Sequence, residues 1–158
     1  MANERAMALW QRLSNVSAGR WLFSRIVCWQ TPYFASIKPR FDVLESGRAV
    51  ASMRKRRAVT NHIGTVHAIA MANLCELVAG TVTEVSIPKA MRWIPRGMQI
   101  SYLNKATTHV RAEAKLPALR DGTAQDVVVP VDVVDTNGTV VVHADITMYV
   151  SPRERKTG

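Results

Sequence analysis

The stretch Asn61-His62-Ile63-Gly64-Thr65-Val66-His67-Ala68, continued by an apolar run that reaches Val82, decides how this chain folds. Between Val66 and Val82 nearly every residue is aliphatic or small, so a helix there is apolar on almost all sides. Such a helix must be enclosed by other structure. At about 17 residues, or roughly 25 Å, it is too short and too polar for a membrane span. The sequence therefore predicts a central core helix.

Glu76 is the one ionisable acid in that predicted helix. An ionised carboxylate inside a protein core is costly unless it is paired or hydrogen-bonded. Its position alone leaves two interpretations open. Glu76 is either a structural acid that backbone donors or a neighbouring base satisfy, or an acid that takes part in chemistry.

Length and composition indicate one ordered domain without a disulfide framework. The chain has 158 residues, of which 47% are hydrophobic and 21% charged, as in ordinary globular proteins. Cys28 and Cys75 form no CxxC pair, which points to reduced thiols in a cytoplasmic protein. The apolar stretch Trp21 to Trp29 is nine residues long and contains Arg25, so we expect neither a signal peptide nor stable membrane insertion.

Positive charge is concentrated at the start of the chain. Residues 1–60 carry 11 Lys/Arg against 3 acids, whereas residues 61–158 carry 10 against 9. The densest point is the run Arg54-Lys55-Arg56-Arg57, for which a solvated surface, a phosphate-binding site and a nucleic-acid site are alternatives. We expect no nucleic-acid partner, because no recognised motif or aromatic-interleaved basic strand accompanies the run.

The element order follows from periodicity and turn residues. Residues 3–30 predict two helices with a break near residues 17–19, ended by Thr31-Pro32. A hairpin is predicted over residues 41–57, before the core helix. From Met98 onward the pattern alternates as in strands, with an Asn137-Gly138 hairpin turn.

This order predicts an α+β fold. A curved antiparallel sheet of five to six strands wraps around one long central helix, because that arrangement hides the helix and one face of each strand. N-terminal helices precede it. We expect a single domain over residues 1–158, divided into an N-terminal helical extension (1–37), a core (38–150) and a flexible tail (151–158).

The pattern Asn61-x-x-Gly64-x-x-His67-Ala68, with Glu76 eight residues further on, resembles the signature of hotdog-fold acyl-CoA thioesterases of the phenylacetyl-CoA and 4-hydroxybenzoyl-CoA type. That signature is approximately N-x-x-G-x-x-H-G-G-x-x-x-x-L-x-[DE]. The segments 100–106 and 111–114 also resemble strands of the family. The resemblance covers about residues 38–150 and implies the hotdog fold.

The resemblance also implies roles for individual residues. Glu76 matches the catalytic carboxylate, and Ala68 matches the residue whose backbone N–H polarises the thioester carbonyl. Asn61 matches the loop residue that positions substrate or water. A helix N-terminus suits the oxyanion of a thioester, and a carboxylate such as Glu76 can activate water or attack directly. Gly64 and His67 complete the matched motif.

The spacing of these residues predicts a homodimer. Ala68 and Glu76 are eight residues apart, about 12 Å along one helix, whereas an oxyanion donor and a base must act on the same carbonyl. A two-fold dimer that sets Ala68 of one copy opposite Glu76 of the other resolves this distance. The resemblance implies the same arrangement, as a dimer or a dimer of dimers.

The chain departs from the signature where the family has His-Gly-Gly. Here the sequence is His67-Ala68-Ile69, and the added side chains narrow the approach of a thioester to the backbone N–H. A non-catalytic protein that binds acyl-CoA or fatty-acyl groups on the same fold is therefore the alternative function.

Three further candidates are weaker. Asn73 lies one helical turn from Glu76 and either holds its carboxylate or caps a cavity. His62 has a spacing to Glu76 like that of hotdog acyl-carrier-protein dehydratases, but their Pro-Gly-Val context is absent. His67 is either close to the carbonyl or a core histidine bonded to the backbone. No metal site is expected, because only the His62/His67 pair has ligand-like spacing.

The basic residues then have a candidate ligand. Arg56 and Arg57 are expected to bind the phosphates of coenzyme A, which enters as part of the substrate and not as a cofactor. A membrane-surface role for the N-terminal helices is a third possibility, with interfacial anchors at Trp10, Trp21 and Trp29, although core or lid packing is a simpler role for them.

Overall fold

The computed structural model describes residues 2–16, 18–120 and 122–153. Its elements are α1 (Ala2–Leu13), α2 (Gly19–Gln30), a 3-10 segment (Pro32–Ile37), β1 (Arg40–Glu45), β2 (Arg48–Met53), a 3-10 turn (Arg57–Val59), α3 (Ala68–Ser86), β3 (Met91–Tyr102), β4 (Val110–Lys115), β5 (Gln125–Asp135) and β6 (Val140–Pro152). The predicted α+β class, the N-terminal helices and the long central helix are confirmed.

The six strands form one antiparallel sheet in the order β1-β2-β4-β5-β6-β3. The sheet packs around α3, ten of whose nineteen residues are buried. In β4 and β5 every second residue is buried, which confirms the alternation read from the sequence. By length and composition α3 could cross a membrane, but its burial against the sheet makes it the core helix of this domain.

A series of aromatic ring contacts joins the N-terminal helices to the sheet. The Trp10 and Phe23 rings pack edge to face at 5.1 Å between centroids, and Phe23 packs on Phe41 of β1 at 5.4 Å. Trp10 is only 7% exposed, so it has the core-packing role that was the simpler of the two expectations and is not an interfacial anchor. By contrast, Trp21 and Trp29 are 59% and 83% exposed.

The predicted break between the two helices is confirmed, with residue 17 outside the described part of the chain. Gly19 begins α2 directly beside the end of α1. A Cβ atom at this position would lie 1.7 Å from the carbonyl oxygen of Leu13. Glycine is therefore required for the helices to approach so closely.

Three strand boundaries differ from the prediction. β3 begins at Met91 and not near Met98, because Pro95 is tolerated on an edge strand with an adjacent bulge. β2 ends at Met53, so the basic run 54–57 leaves the sheet. β6 continues to Pro152, two residues into the predicted tail, and residues 154–158 lie outside the described residues.

Candidate active site

The loop before α3 is organised by Asn61. Its Oδ1 atom accepts hydrogen bonds from the backbone N–H groups of Ile63 (3.2 Å) and Thr65 (3.0 Å), and its Nδ2 atom donates to the Thr65 hydroxyl (2.8 Å). Gly64 adopts a φ of +77°, which favours glycine. The side chain of Asn61 thus shapes the loop, and its direct contact with a substrate or water stays a prediction.

His67 is the N-cap of α3. The Nδ1 atom of its ring accepts a hydrogen bond from the backbone N–H of Ile69 at 3.1 Å. The backbone N–H of His67 donates to the carbonyl oxygen of Val59 at 2.8 Å. The side chain is exposed, so His67 is not a core histidine, although the expected bond to the backbone is present.

Ala68 is the first residue of α3, where backbone N–H groups lack a partner within the helix. Among the described residues the N–H of Ala68 makes no hydrogen bond. This free donor at the positive end of a 19-residue helix is suited to a carbonyl oxygen that acquires negative charge.

Glu76 lies two turns further along α3 and is half-buried. Within the described part of the chain its carboxylate makes no hydrogen bond and no ion pair. The carboxylate lines a cavity of about 520 Å³. A structural acid would have its partner in the fold, whereas Glu76 lines a cavity whose wall also includes the basic residue Arg5.

The cavity lies between one side of α3 and parts of the N-terminal helices, of which α1 also contacts α3 directly. Glu76, Leu77 and Gly80 of α3 form one wall, and Leu9, Ile26, Val27 and Phe34 of the N-terminal segments face them. Its size and mainly apolar lining are typical of sites for small organic ligands. None of the predicted residues Asn61, Gly64, His67 and Ala68 is among the described residues that line it.

Core or lid packing was the simpler role expected for the N-terminal helices, but the sequence did not predict which of their residues line this cavity. The apolar positions Leu9 and Ile26 are visible in the sequence, but periodicity does not identify the surface that they face. Trp93 of β3, which also lines the cavity, lies in a stretch for which no strand was expected. A tryptophan two residues before a proline, followed by alternating residues, was the available signal.

Asn73 connects α3 to the 3-10 segment and not to Glu76. Its Nδ2 atom donates to the Ser36 hydroxyl at 3.2 Å, and its Oδ1 atom is buried without a partner among the described residues. Of the two predicted roles for Asn73, holding the Glu76 carboxylate is therefore not observed, because Asn73 bonds to Ser36 instead.

The basic run 54–57 contacts the 3-10 segment at Ser36, the residue that Asn73 also binds. Arg56 donates to the carbonyl oxygen of Ser36 at 2.6 Å, so Arg56 and Asn73 both bind Ser36. Lys55 is engaged with the loop after β3, through its Nζ atom and the Thr107 carbonyl at 2.9 Å. The side chain of Arg57 is exposed and makes no ion pair with the described residues.

Two other kinds of reactive group, a thiol and a metal cluster, can be compared with Glu76 within the described residues. Cys75 is fully buried, and burial raises the pKa of its thiol to about 12. The described residues contain no group of three or more His, Cys, Asp or Glu that could hold a metal ion. Of the charged groups on α3, Glu76 and Glu84 line the cavity.

The sheet around α3 and the position of the loop define a hotdog-fold protein, with solved thioesterases among its distant structural neighbours. A probable thioesterase from Pseudomonas aeruginosa is 23% identical, with a TM-score of 0.74 over 82% of this chain and 93% of that chain. A thioesterase from Haemophilus influenzae is 12% identical, with a TM-score of 0.72 over 84% and 91%.

The chain belongs to the family described as a domain of unknown function, DUF4442, whose model matches residues 19–150. A structural-genomics protein is 44% identical, with a TM-score of 0.81 over 94% of this chain and 98% of that chain. No curated protein matches. The family match includes α2, so it extends beyond the core expected from the resemblance.

Proposed function

We propose that this protein hydrolyses acyl-CoA thioesters, with Glu76 as the general base or nucleophile. The observation that carries the proposal is the Glu76 carboxylate, which is half-buried in the wall of an apolar cavity and has no partner among the described residues. A group in that state is available to a bound water or thioester carbonyl.

The chemistry requires one base and one oxyanion donor. In the general-base route, Glu76 takes a proton from water as the water oxygen attacks the carbonyl carbon. The carbon–sulfur bond then breaks, and the coenzyme A thiolate leaves with that proton. In the alternative route the carboxylate attacks the carbonyl carbon, the carbon–sulfur bond breaks and the coenzyme A thiolate leaves. Water then cleaves the resulting anhydride, which releases the free acid and regenerates the Glu76 carboxylate. In both routes the free N–H of Ala68 stabilises the oxyanion.

Both groups can act on one carbonyl only if two copies of the chain combine. Ala68 and Glu76 are about 12 Å apart along α3, so the proposed site joins Ala68 of one copy to Glu76 of another. The edge strand β3 supports such a dimer. It is twelve residues long and exposes Ile94 (59%), Met98 (36%) and Tyr102 (46%), and an edge of this kind pairs readily with another chain.

Solved variants of a distant neighbour support the choice of residues. In a thioesterase from Staphylococcus aureus a glutamine and a glutamate have each been replaced by alanine, and these two positions are fifteen residues apart. Asn61 and Glu76 have the same separation in this chain.

The test is thiol release from a panel of acyl-CoA substrates by the wild type and by Glu76→Gln and Glu76→Ala. We expect both variants to fold and to lose turnover by at least about a hundredfold. Glu45→Gln, at an exposed glutamate of β1, is the matched control and should retain full activity. Unchanged turnover in both Glu76 variants would rule out this carboxylate.

The departure at Ala68 and Ile69 favours one second candidate. Ile69 is 57% exposed beside the free N–H of Ala68 and narrows the approach to it. A non-catalytic acyl-CoA or fatty-acyl binding protein would bind the same ligands without releasing thiol. Ligand binding by the wild type together with no thiol release from any substrate would favour this candidate.

A further inference from the structure

We propose that the cavity receives an alkyl acyl chain and that Trp93, held by Glu84 against Gly80, forms the far wall that limits its length. The nature of the ligand rests on the proposed function. The position of the wall rests on contacts within the described residues.

The cavity has a direction. Glu76 and Glu84 both line it, and they lie eight residues apart, about 12 Å along α3. An acyl chain that extends from Glu76 along α3 therefore meets the Trp93 ring about one turn further on, where Cη2 of the ring lies at Gly80. The Nε1 end of the indole is held at Glu84, two turns from Glu76.

Two contacts fix the indole. The Nε1–H group of Trp93 donates to Oε2 of Glu84 at 2.7 Å. On the helix, a Cβ atom added to Gly80 would lie 2.9 Å from the Cη2 atom of Trp93, so the ring packs directly on the glycine backbone. The hydrogen bond at Nε1 and the contact of the outer ring edge with Gly80 leave the ring little freedom to turn aside for a longer chain.

The roof over this path is also fixed. Trp10 and Phe23 tie α1 and α2 together, and an ion pair between Glu4 and Lys89 joins α1 to the turn after α3. The roof is mainly apolar, with the side chains of Leu9, Ile26, Val27 and Phe34, and it also includes Arg5, Gln30 and Thr31. This lining favours an alkyl chain over a polar acyl group, because a polar group would lose hydrogen bonds to water there.

The experiment compares hydrolysis across straight-chain substrates from acetyl-CoA to palmitoyl-CoA. Trp93→Ala should move the optimum of kcat/KM to longer chains than in the wild type. Near the cut-off, each excess methylene should cost the wild type about tenfold in kcat/KM. Gly80→Ala should push the ring into the path and move the optimum to shorter chains.

Conservative variants distinguish a specific effect of Trp93 on chain length from a general loss of packing. Trp93→Phe should move the optimum less than Trp93→Ala, and Glu84→Gln, which retains an acceptor, should keep the wild-type cut-off. Trp29→Ala removes a tryptophan that is 83% exposed and is not among the residues that line the cavity, so it is the matched control. If Trp93→Ala fails to fold, Gly80→Ala and Trp93→Phe decide the outcome.

Calorimetric binding of free fatty acids with the same chain lengths provides a readout that does not depend on turnover. A binding cut-off that moves in the Trp93 variants, without hydrolysis by the wild type, would disprove the proposed reaction and support the wall. Hydrolysis that needs Glu76, with both cut-offs unchanged in Trp93→Ala and Gly80→Ala, would overturn the wall and leave the reaction standing.

Discussion

The imidazole Nδ1 atom of His67 accepts a hydrogen bond from the backbone N–H of Ile69 at 3.1 Å. This contact places the histidine of the motif on the end of α3 as a cap, with its ring exposed to solvent. A cap requires only an acceptor at the correct distance, which shorter polar side chains also supply.

His67→Asn should therefore keep both the helix start and the activity, whereas His67→Ala should lower the free energy of unfolding by about 1 kcal/mol. Denaturant unfolding measures the free energy of unfolding, and thiol release measures the activity. A large loss of turnover in a stably folded His67→Asn protein would show that the imidazole itself takes part in the reaction.

Arg57 and Arg56 should respond differently to substitution. Arg57 is exposed, so Arg57→Glu should raise the KM for acyl-CoA and spare kcat if this side chain meets a phosphate of coenzyme A. Arg56 also holds the Ser36 carbonyl, so Arg56→Gln should affect stability as well. Arg12→Glu in α1 is a charge-matched control. An equal rise in KM for Arg12→Glu and Arg57→Glu would indicate a general charge effect and no local phosphate site.

Cys75 should be inert towards thiol reagents in the native protein. Its side chain is fully buried, and burial raises the thiol pKa to about 12, so almost no thiolate exists at neutral pH. Burial also raises the pKa of Cys28. Mass spectrometry after iodoacetamide treatment should find both thiols unmodified in native protein and modified in urea. Rapid labelling of native Cys75 with loss of activity would contradict this account.

The pKa of His143 should be raised above the ordinary value for histidine. Its Nδ1 atom lies 2.7 Å from Asp132 and its Nε2 atom 3.6 Å from Asp145, and the hydrogen bond to Asp132 is the main cause of the raised pKa. The protonated form is favoured in the folded state. Its contribution to stability is therefore complete below the unfolded pKa and is lost as the pH rises through the folded pKa.

Asp132→Asn should lower the pKa of His143, as measured by NMR titration of its ring protons. Because the pair lies near the surface, the change in stability should be small. An unchanged titration of His143 would mean that Asp132 does not hold the ring in solution.

The sequence was most informative where one residue pattern had one physical solution. The apolar run around Glu76 requires enclosure on all sides, and the alternation in β4 requires one buried face. Together these requirements predicted the helix wrapped by a sheet. The Asn-Gly pair likewise predicted the last hairpin, in which Gly138 has a φ of +82°.

The cavity was not predictable in the same way. Its roof depends on how α1 and α2 lie on α3, and a helical period identifies an apolar face but not the partner of that face. The engagement of Asn61 within its own loop was also hidden, because a motif shows which residue is present and not which hydrogen bonds it makes. Whether the Glu76 carboxylate has a hydrogen-bond or ion-pair partner depends on residues that are distant in sequence, so only the folded structure could show it.

The packing of Trp10 on Phe23 and of Phe23 on Phe41 has a consequence for cooperativity. A truncated chain that begins at residue 38 would lack Phe23, the aromatic neighbour of Phe41. It would also lack α1 and α2, which cover one side of α3. The amide protons of α1 and α2 should accordingly exchange with solvent in the same opening event as those of β1. The helices before the sheet belong to the folding unit itself.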